Sequence, residues 1–250
     1  RDALAVIEQR CAERGATLLR YGRQIRARVS AADAAGSTFD IDTPYGSLRR
    51  LRLPLAGAHQ VANAALAVAA AQAFGEATGH TIGDDAVRDG LASVRISARL
   101  EAVQQSPLVL LDAAHNPAGA RRLAETLRAH WLRRGTRLHL VAGILADKDQ
   151  PAIVRALAPV ARRVTITQPP LADRTGDPQR MLRAFSRALG ERNVAYVPDH
   201  REALDAALAS AGERDIIVVT GSMFLAGALR ERWMPEREIL RRRTAIVGKP

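Results

Sequence analysis

The sequence predicts an α/β fold whose C-terminal part is a doubly wound, mostly parallel, Rossmann-like sheet of about six strands. Three observations carry this. From residue 99 onward, short apolar runs alternate with amphipathic segments, which is the rhythm of successive βαβ units. Before residue 94 the texture differs, with turn-rich β patterns around one alanine-rich helix. Apolar residues make up 47% of the 250, enough to bury a sizeable core.

In chain order, residues 2–15 read as a helix stopped by Gly15, followed by a strand-like run over 17–21. Residues 37–41 and 47–53 flank Thr43-Pro44-Tyr45-Gly46, so a hairpin is expected there. Residues 60–74 carry Val61, Ala65, Leu66, Val68 and Ala69 at helical spacing, with Gly75 placed to close the helix, and a shorter helix is expected over 84–93. Residues 94–98 read as a linker. Beyond it the apolar runs 108–111, 138–144, 164–167, 194–197 and 216–220 predict strands. The segments 117–134, 151–161, 177–190, 201–211 and 224–233 predict the intervening helices.

Composition excludes several function classes. No stretch reaches the 18 or so apolar residues of a membrane span, and the start of the chain lacks a basic-then-apolar signal pattern, so a cytoplasmic address is expected. The single cysteine, Cys11, excludes an internal disulfide framework and a cysteine-clustered zinc site. The net charge of +11 invites a nucleic-acid reading, but its distribution argues against one. Lysine occurs only at Lys148 and Lys249, and arginines are scattered among acids. The richest run, Arg230–Arg243, also carries Glu231, Glu236 and Glu238, as a solvated helical face does. With 4% aromatic residues, stacking platforms for single strands are scarce.

Parallel sheets often bind nucleotides, yet both phosphate-cradling loops are missing from these residues. No two glycines are spaced G-x-G, and the Gly248-Lys249 pair lacks the upstream glycine and following hydroxyl of a P-loop. The informative stretch is instead Leu108-Val-Leu-Leu-Asp-Ala-Ala-His-Asn-Pro-Ala-Gly119, an apolar strand that delivers polar residues into a helix start. Ligands of open α/β sheets sit at the carboxyl ends of strands, which places Asp112 and His115 at a ligand crevice. Asn116 before Pro117 reads as a helix N-cap. A carboxylate at the end of so apolar a strand needs partners to offset its desolvation, so Asp112 reads as functional.

Here the sequence resembles the D-[GA]-A-H-N-P motif of folylpolyglutamate and dihydrofolate synthases, members of the Mur ligase family. Further segments resemble that family in the same order. They are Gly57-Ala-His-Gln-Val-Ala-Asn-Ala-Ala65, Arg99-Leu100-Glu101 with Ala98 where the family has glycine, Gly143-Ile-Leu-Ala-Asp-Lys-Asp149, and Thr220-Gly-Ser-Met-Phe-Leu225.

The resemblance implies a cytoplasmic, monomeric ATP-dependent amide ligase. ATP activates a carboxylate of folate or dihydropteroate as an acyl phosphate, and glutamate attacks it. It also implies that residues 1–95 are the tail of the ATPase domain and 96–250 the glutamate-ligase domain. The phosphate loop and magnesium ligands then belong to an N-terminal part these residues do not contain. With its start at Arg1, the chain reads as a fragment that by itself does not turn over ATP. By residue, the resemblance implies that Asn63 contacts the adenine, Arg99 the terminal phosphates and Asp112 the ribose hydroxyls. His115, the catalytic candidate, lies beside the nucleotide or the incoming glutamate, and Ser222 serves the glutamate side. A planar guanidinium suits phosphate because it donates to two oxygens at once.

Each residue also has a plainer reading. Asn63 is a polar residue on a helix, Arg99 one arginine among many, and Ser222 an N-cap. His59 supports a loop. Asp147, Lys148 and Asp149 either touch ligand or cap the next helix, and Gln168-Pro-Pro-Leu-Ala-Asp-Arg174 matches the family too poorly for an assignment. The alternatives are another Mur-type amino-acid ligase acting on a cell-wall precursor, disfavoured by Gln60 after His59, or a non-catalytic nucleotide-binding module.

Overall fold

The computed structural model describes residues 3–171, 174, 176–235 and 237–238. Contacts divide the chain into two units, Arg1–Arg95 and Ile96–Pro250.

In the first unit, helix α1 (Ala3–Arg14) buries none of its residues. The strand expected over 17–21 does not form. That run has no neighbouring strand to pair with, and only Tyr21 makes an isolated bridge, to Ile25 across a turn. Strand β1 (Arg26–Asp33) was not expected. It is an edge strand wetted on nearly all of its length, so it has none of the apolar alternation that announces a strand. Strands β2 (Gly36–Thr43) and β3 (Gly46–Leu53) form the expected hairpin and complete an antiparallel sheet of order β1-β2-β3.

Helix α2 (Ala58–Thr78) and helix α3 (Asp84–Ser93) cover this sheet, with Phe39, Ile41, Leu51 and Leu53 packed on Val61, Ala65, Val68, Val87 and Leu91. Helix α2 passes through Gly75 and stops at Gly79, whose φ of 71° is left-handed. Gly75 has a different task from the one its sequence position predicts. A Cβ there would collide with the His80 carbonyl, so the glycine lets the chain fold back against its own helix.

The second unit is the predicted α/β domain. Its sheet contains β4 (Arg99–Gln105), β5 (Leu108–Asp112), β6 (Leu138–Ala142), β7 (Arg163–Ile166), β8 (Val194–Tyr196) and β9 (Ile216–Thr220) in the order β4-β5-β9-β6-β7-β8. All neighbours are parallel except β4, which runs antiparallel to β5. The sequence reading placed a linker and a motif around β4 but no strand. Two register shifts interrupt its pairing, and its burial does not alternate cleanly.

The crossover helices are α4 (Pro117–His130), α5 (Gln150–Leu157), α6 (Pro178–Leu189) and α7 (His200–Ser210), with α8 (Met223–Arg230) following β9. Pro159 lies in a turn of 3-10 helix that ends the α5 segment short of the expected residue 161. Val109, Leu111, Val141, Ile217 and Val219 point to one face and pack on α7 and α8. By alternation Leu110, Leu140 and Val218 point to the other, toward α4 and α5, which pack on each other. Strand β9 therefore lies between two strands, β5 and β6, whose following helices run on the opposite face from its own. In open α/β sheets such a reversal marks where ligands bind, outside the carboxyl ends of the strands.

No helix among the described residues is long and apolar enough to cross a membrane. Of the arginine-rich run, Arg230 pairs with Glu101 and Arg232 with Asp205, while Glu236 and residues 239–250 lie outside the described residues.

Candidate active site

The carboxyl ends of β5, β9 and β6 are tied together by backbone hydrogen bonds. Gly221 donates to the Ala114 carbonyl at 3.0 Å, and Gly143 donates to Thr220 at 3.1 Å. The segment between Asp112 and Pro117 is thus fixed beside the start of α8. Asp112 ends β5 with both oxygens engaged. Oδ1 accepts from the Ala114 N–H at 2.9 Å, and Oδ2 accepts from Leu100 at 3.1 Å. Burial raises its pKa to about 6 against the pull of those two N–H groups and of the nearby Arg99 charge. These partners explain how a carboxylate can end so apolar a strand.

Arg99 faces Asp112 across the β4–β5 pairing and is exposed between buried Ala98 and Leu100. Among the described residues it has no ion-pair partner, so its guanidinium is available to an anion. Ala98 has a φ of 54°, a conformation that favours the glycine the family pattern has there.

His115 is half-buried, and its Nδ1 lies 2.9 Å from the Ala113 carbonyl. A carbonyl only accepts, so Nδ1 carries the proton and Nε2 of the neutral ring is left as an acceptor. Asn116 caps α4, accepting from Gly119 at 2.7 Å. Ser222 is 1% exposed and caps α8, accepting from Phe224 at 3.2 Å. Accepting that bond leaves the Ser222 O–H free to donate, and Met223 and Phe224 beside it are exposed.

The loop after β6 adds a charged group. Asp149 caps α5 through Ala152, while Asp147 pairs with Lys148 at 2.8 Å and with Arg174 at 3.2 Å. The Lys148 hydrogen bond leads the effects that hold the Asp147 carboxyl below its usual range. Arg174 was not singled out from the sequence. It ends the segment Gln168–Arg174, to which no assignment was made, and Ala172 and Asp173 of that segment lie outside the described residues. The Glu101–Arg230 pair was also missed.

The structure therefore brings Arg99, Asp112, His115 and Ser222 to the carboxyl end of one sheet, as the sequence reading placed Asp112 and His115. Asn63 belongs to the first unit, on the exposed face of α2, where its Nδ2 donates to the Gln60 Oε1 at 3.1 Å. His59, at the start of that helix, is half-buried. Among the described residues no group of three His, Cys, Asp or Glu side chains converges to hold a metal ion.

The family profile of the Mur ligase glutamate ligase domain matches residues 98–223, over half of the chain and all of the carboxyl-end cluster up to Met223. The chain belongs to the Mur ligase family. This Mur ligase chain is 32% identical over 230 residues to a folylpolyglutamate synthase of Lacticaseibacillus casei, covering 92% of the chain and 51% of that protein. It is 36% identical over 214 residues to a dihydrofolate synthase/folylpolyglutamate synthase of Mycobacterium tuberculosis, covering 78% of the chain and 42% of the relative. The solved structure of Mycobacterium tuberculosis folylpolyglutamate synthase complexed with ADP superposes with a TM-score of 0.82 at 32% identity, over 92% of this chain and 52% of that one. The motif resemblance to the C-terminal part of those enzymes holds. The chain spans about half the length of the curated relatives it matches.

Proposed function

We propose that this chain supplies the glutamate-ligase domain, residues 96–250, and the adjoining tail of the ATPase domain, residues 1–95, of an enzyme that joins glutamate to folate or dihydropteroate. The activity runs through an acyl phosphate. A carboxylate resists attack by an amine, whereas an acyl phosphate offers a leaving group whose charge cations stabilise. The observation that carries the reading is Arg99, a guanidinium with no ion-pair partner among the described residues. It is held at the carboxyl end of the sheet in a chain similar to an ADP-complexed folylpolyglutamate synthase.

In this reading Arg99 binds the terminal phosphates of ATP, and Asn63 contacts the adenine from its own unit. Asp112 stands near the ribose, but with both oxygens on backbone N–H groups its larger task is to hold the Arg99 turn and the His115 loop. His115 offers Nε2 to nucleotide or glutamate. Ser222 fixes the N-terminus of α8, whose free N–H groups and dipole favour the carboxylate of an incoming amino acid. Magnesium, which such a reaction uses to shield phosphate charge, is assigned to no residue of this chain. A monomer in the cytoplasm is the state this reading expects.

A second reading, a Mur ligase that extends a cell-wall precursor, is supported by family membership, while the His59-Gln60 pair and the folate relatives favour the first. The test is ADP release by the untruncated polypeptide with ATP, magnesium and glutamate, comparing dihydropteroate, tetrahydrofolate and a UDP-linked muramyl peptide. Release that depends on either pterin is expected. Release only with the muramyl peptide would replace the folate reading, and none with any acceptor would leave a nucleotide-binding module.

A further inference from the structure

Arg99 stands between two residues in the left-handed region, Ala98 at φ 54° and Leu100 at φ 49°. Neither is glycine, and an L side chain is disfavoured there, so the surroundings must hold the turn in place. Three hydrogen bonds do so. The Ala98 carbonyl accepts from Ala113 at 2.9 Å, the Leu100 N–H donates to Asp112 at 3.1 Å, and the Ala98 N–H donates to Oε2 of Glu101 at 3.0 Å.

The first two partners belong to the β5 motif. Glu101 is different, because its carboxylate is itself gripped from α8. Arg230 places Nε 2.9 Å from each carboxylate oxygen and Nη2 2.9 Å from Oε1, and Nη2 also meets the Met234 sulfur at 3.1 Å. The two side chains are only 14% and 22% exposed, so this forked pair is sheltered from solvent and far less screened than a surface ion pair. Helical side chains lean toward the N-terminus of their helix, which lets Arg230, at the last residue of α8, reach back along it to Glu101. The helix capped by Ser222 at one end thus braces the Arg99 turn from the other.

We propose that Glu101 and Arg230 are positioning residues for Arg99: through them α8 holds the left-handed Ala98–Leu100 turn that presents the Arg99 guanidinium to a nucleotide phosphate. This rests on reading Arg99 as the phosphate contact. Glu101 acts through Arg99, by occupying the Ala98 N–H and by anchoring the turn to a helix.

A double-mutant cycle in the untruncated polypeptide separates this from a general structural role. Glu101→Gln keeps the side chain's length and loses the ion pair. It is expected to raise KM for ATP about tenfold, less than the roughly hundredfold that a full 1 Å misplacement can cost, with KM for glutamate within about twofold of wild type. Arg230→Lys, which keeps the charge and loses the fork, should do the same, and it serves if Glu101→Gln does not fold. In an Arg99→Ala background Glu101→Gln should add less than about twofold, because its effect runs through Arg99. An equal effect in both backgrounds, a joint rise of both KM values, or no effect at all would overturn the positioning role. Arg99→Ala with an unchanged KM for ATP would instead overturn the phosphate reading on which it stands.

Discussion

The Asp112 carboxylate and the Leu100 amide meet at 3.1 Å, and this bond joins the end of β5 to the turn that carries Arg99. The other oxygen holds Ala114, so one side chain fixes two loops that differ by more than ten residues in sequence. Asparagine has the same shape but only one acceptor oxygen. In Asp112→Asn either Leu100 or Ala114 must face an NH2 group. One of those two amides is then expected to exchange its proton at least about tenfold faster than in wild type, measured by NMR. Full protection of both would show that the carboxylate does not organise the loops.

Two buried groups of the second unit pull stability in opposite directions below neutral pH. Burial raises Asp112 from 3.8 to about 6. The folded chain therefore binds that proton more tightly than the unfolded one, and the group's contribution is present below about pH 4 and lost as pH rises through about 6. Burial, aided by the Arg163 charge, lowers His139 from 6.5 to about 4. Its contribution is present above about pH 6.5 and lost as pH falls through about 4. Each is worth up to about 3 kcal/mol, so in wild type they offset. Relative to wild type, urea midpoints of Asp112→Asn should fall on acidification from pH 6.5 to 4 and those of His139→Gln should rise. Parallel curves for all three proteins would refute both assignments.

Gly221 joins β9 to α8 with a φ of 99°, and a Cβ there would lie 2.7 Å from the Gly143 carbonyl oxygen. Its N–H is already committed to Ala114, so the backbone cannot swing away without breaking that bond. Gly221→Ala should cost about 3 kcal/mol in chemical denaturation. A cost below about 1 kcal/mol would mean the crossing of these strand ends is loose.

The Ser37 hydroxyl is buried and has no hydrogen-bond partner among the described residues. Burying an unpaired hydroxyl is unfavourable, so Ser37→Ala is expected to stabilise the first unit by about 1 kcal/mol, read from the shift of its thermal midpoint. A loss of stability would point to an ordered water satisfying the oxygen.

How much of this was legible depended on what each segment packs against. Strands β5, β6, β7 and β9 announce themselves because both their faces are covered, which demands unbroken apolar runs such as Val109–Leu111. Edge strands β1 and β4 face water or break register, so Arg26–Asp33 and Arg99–Gln105 carry no such signal. Gly75 shows the limit of local reasoning, since the contact that requires a glycine there comes from His80 in the returning chain. At the site, Asn116 was readable as a cap because capping is local, and Asp149, left open between ligand contact and cap, caps α5. The clamp on Glu101 was not, because its other half, Arg230, is more than a hundred residues away and resembles many other arginines.

The place of β9 in the sheet also governs the order in which the domain can be built. On a ribosome, β5 and β6 emerge before β9, yet neither neighbours the other; the strand that belongs between them is the last to be made among the described strands. Until Ile216–Thr220 appears, both present open edges, and the crossing of chain ends that holds Ala114, Thr220 and Gly143 together does not exist. The meeting of these strand ends is therefore created late, and a nascent chain halted before residue 216 carries Arg99, Asp112 and His115 without β9, Ser222 or the bonds that tie the strand ends together.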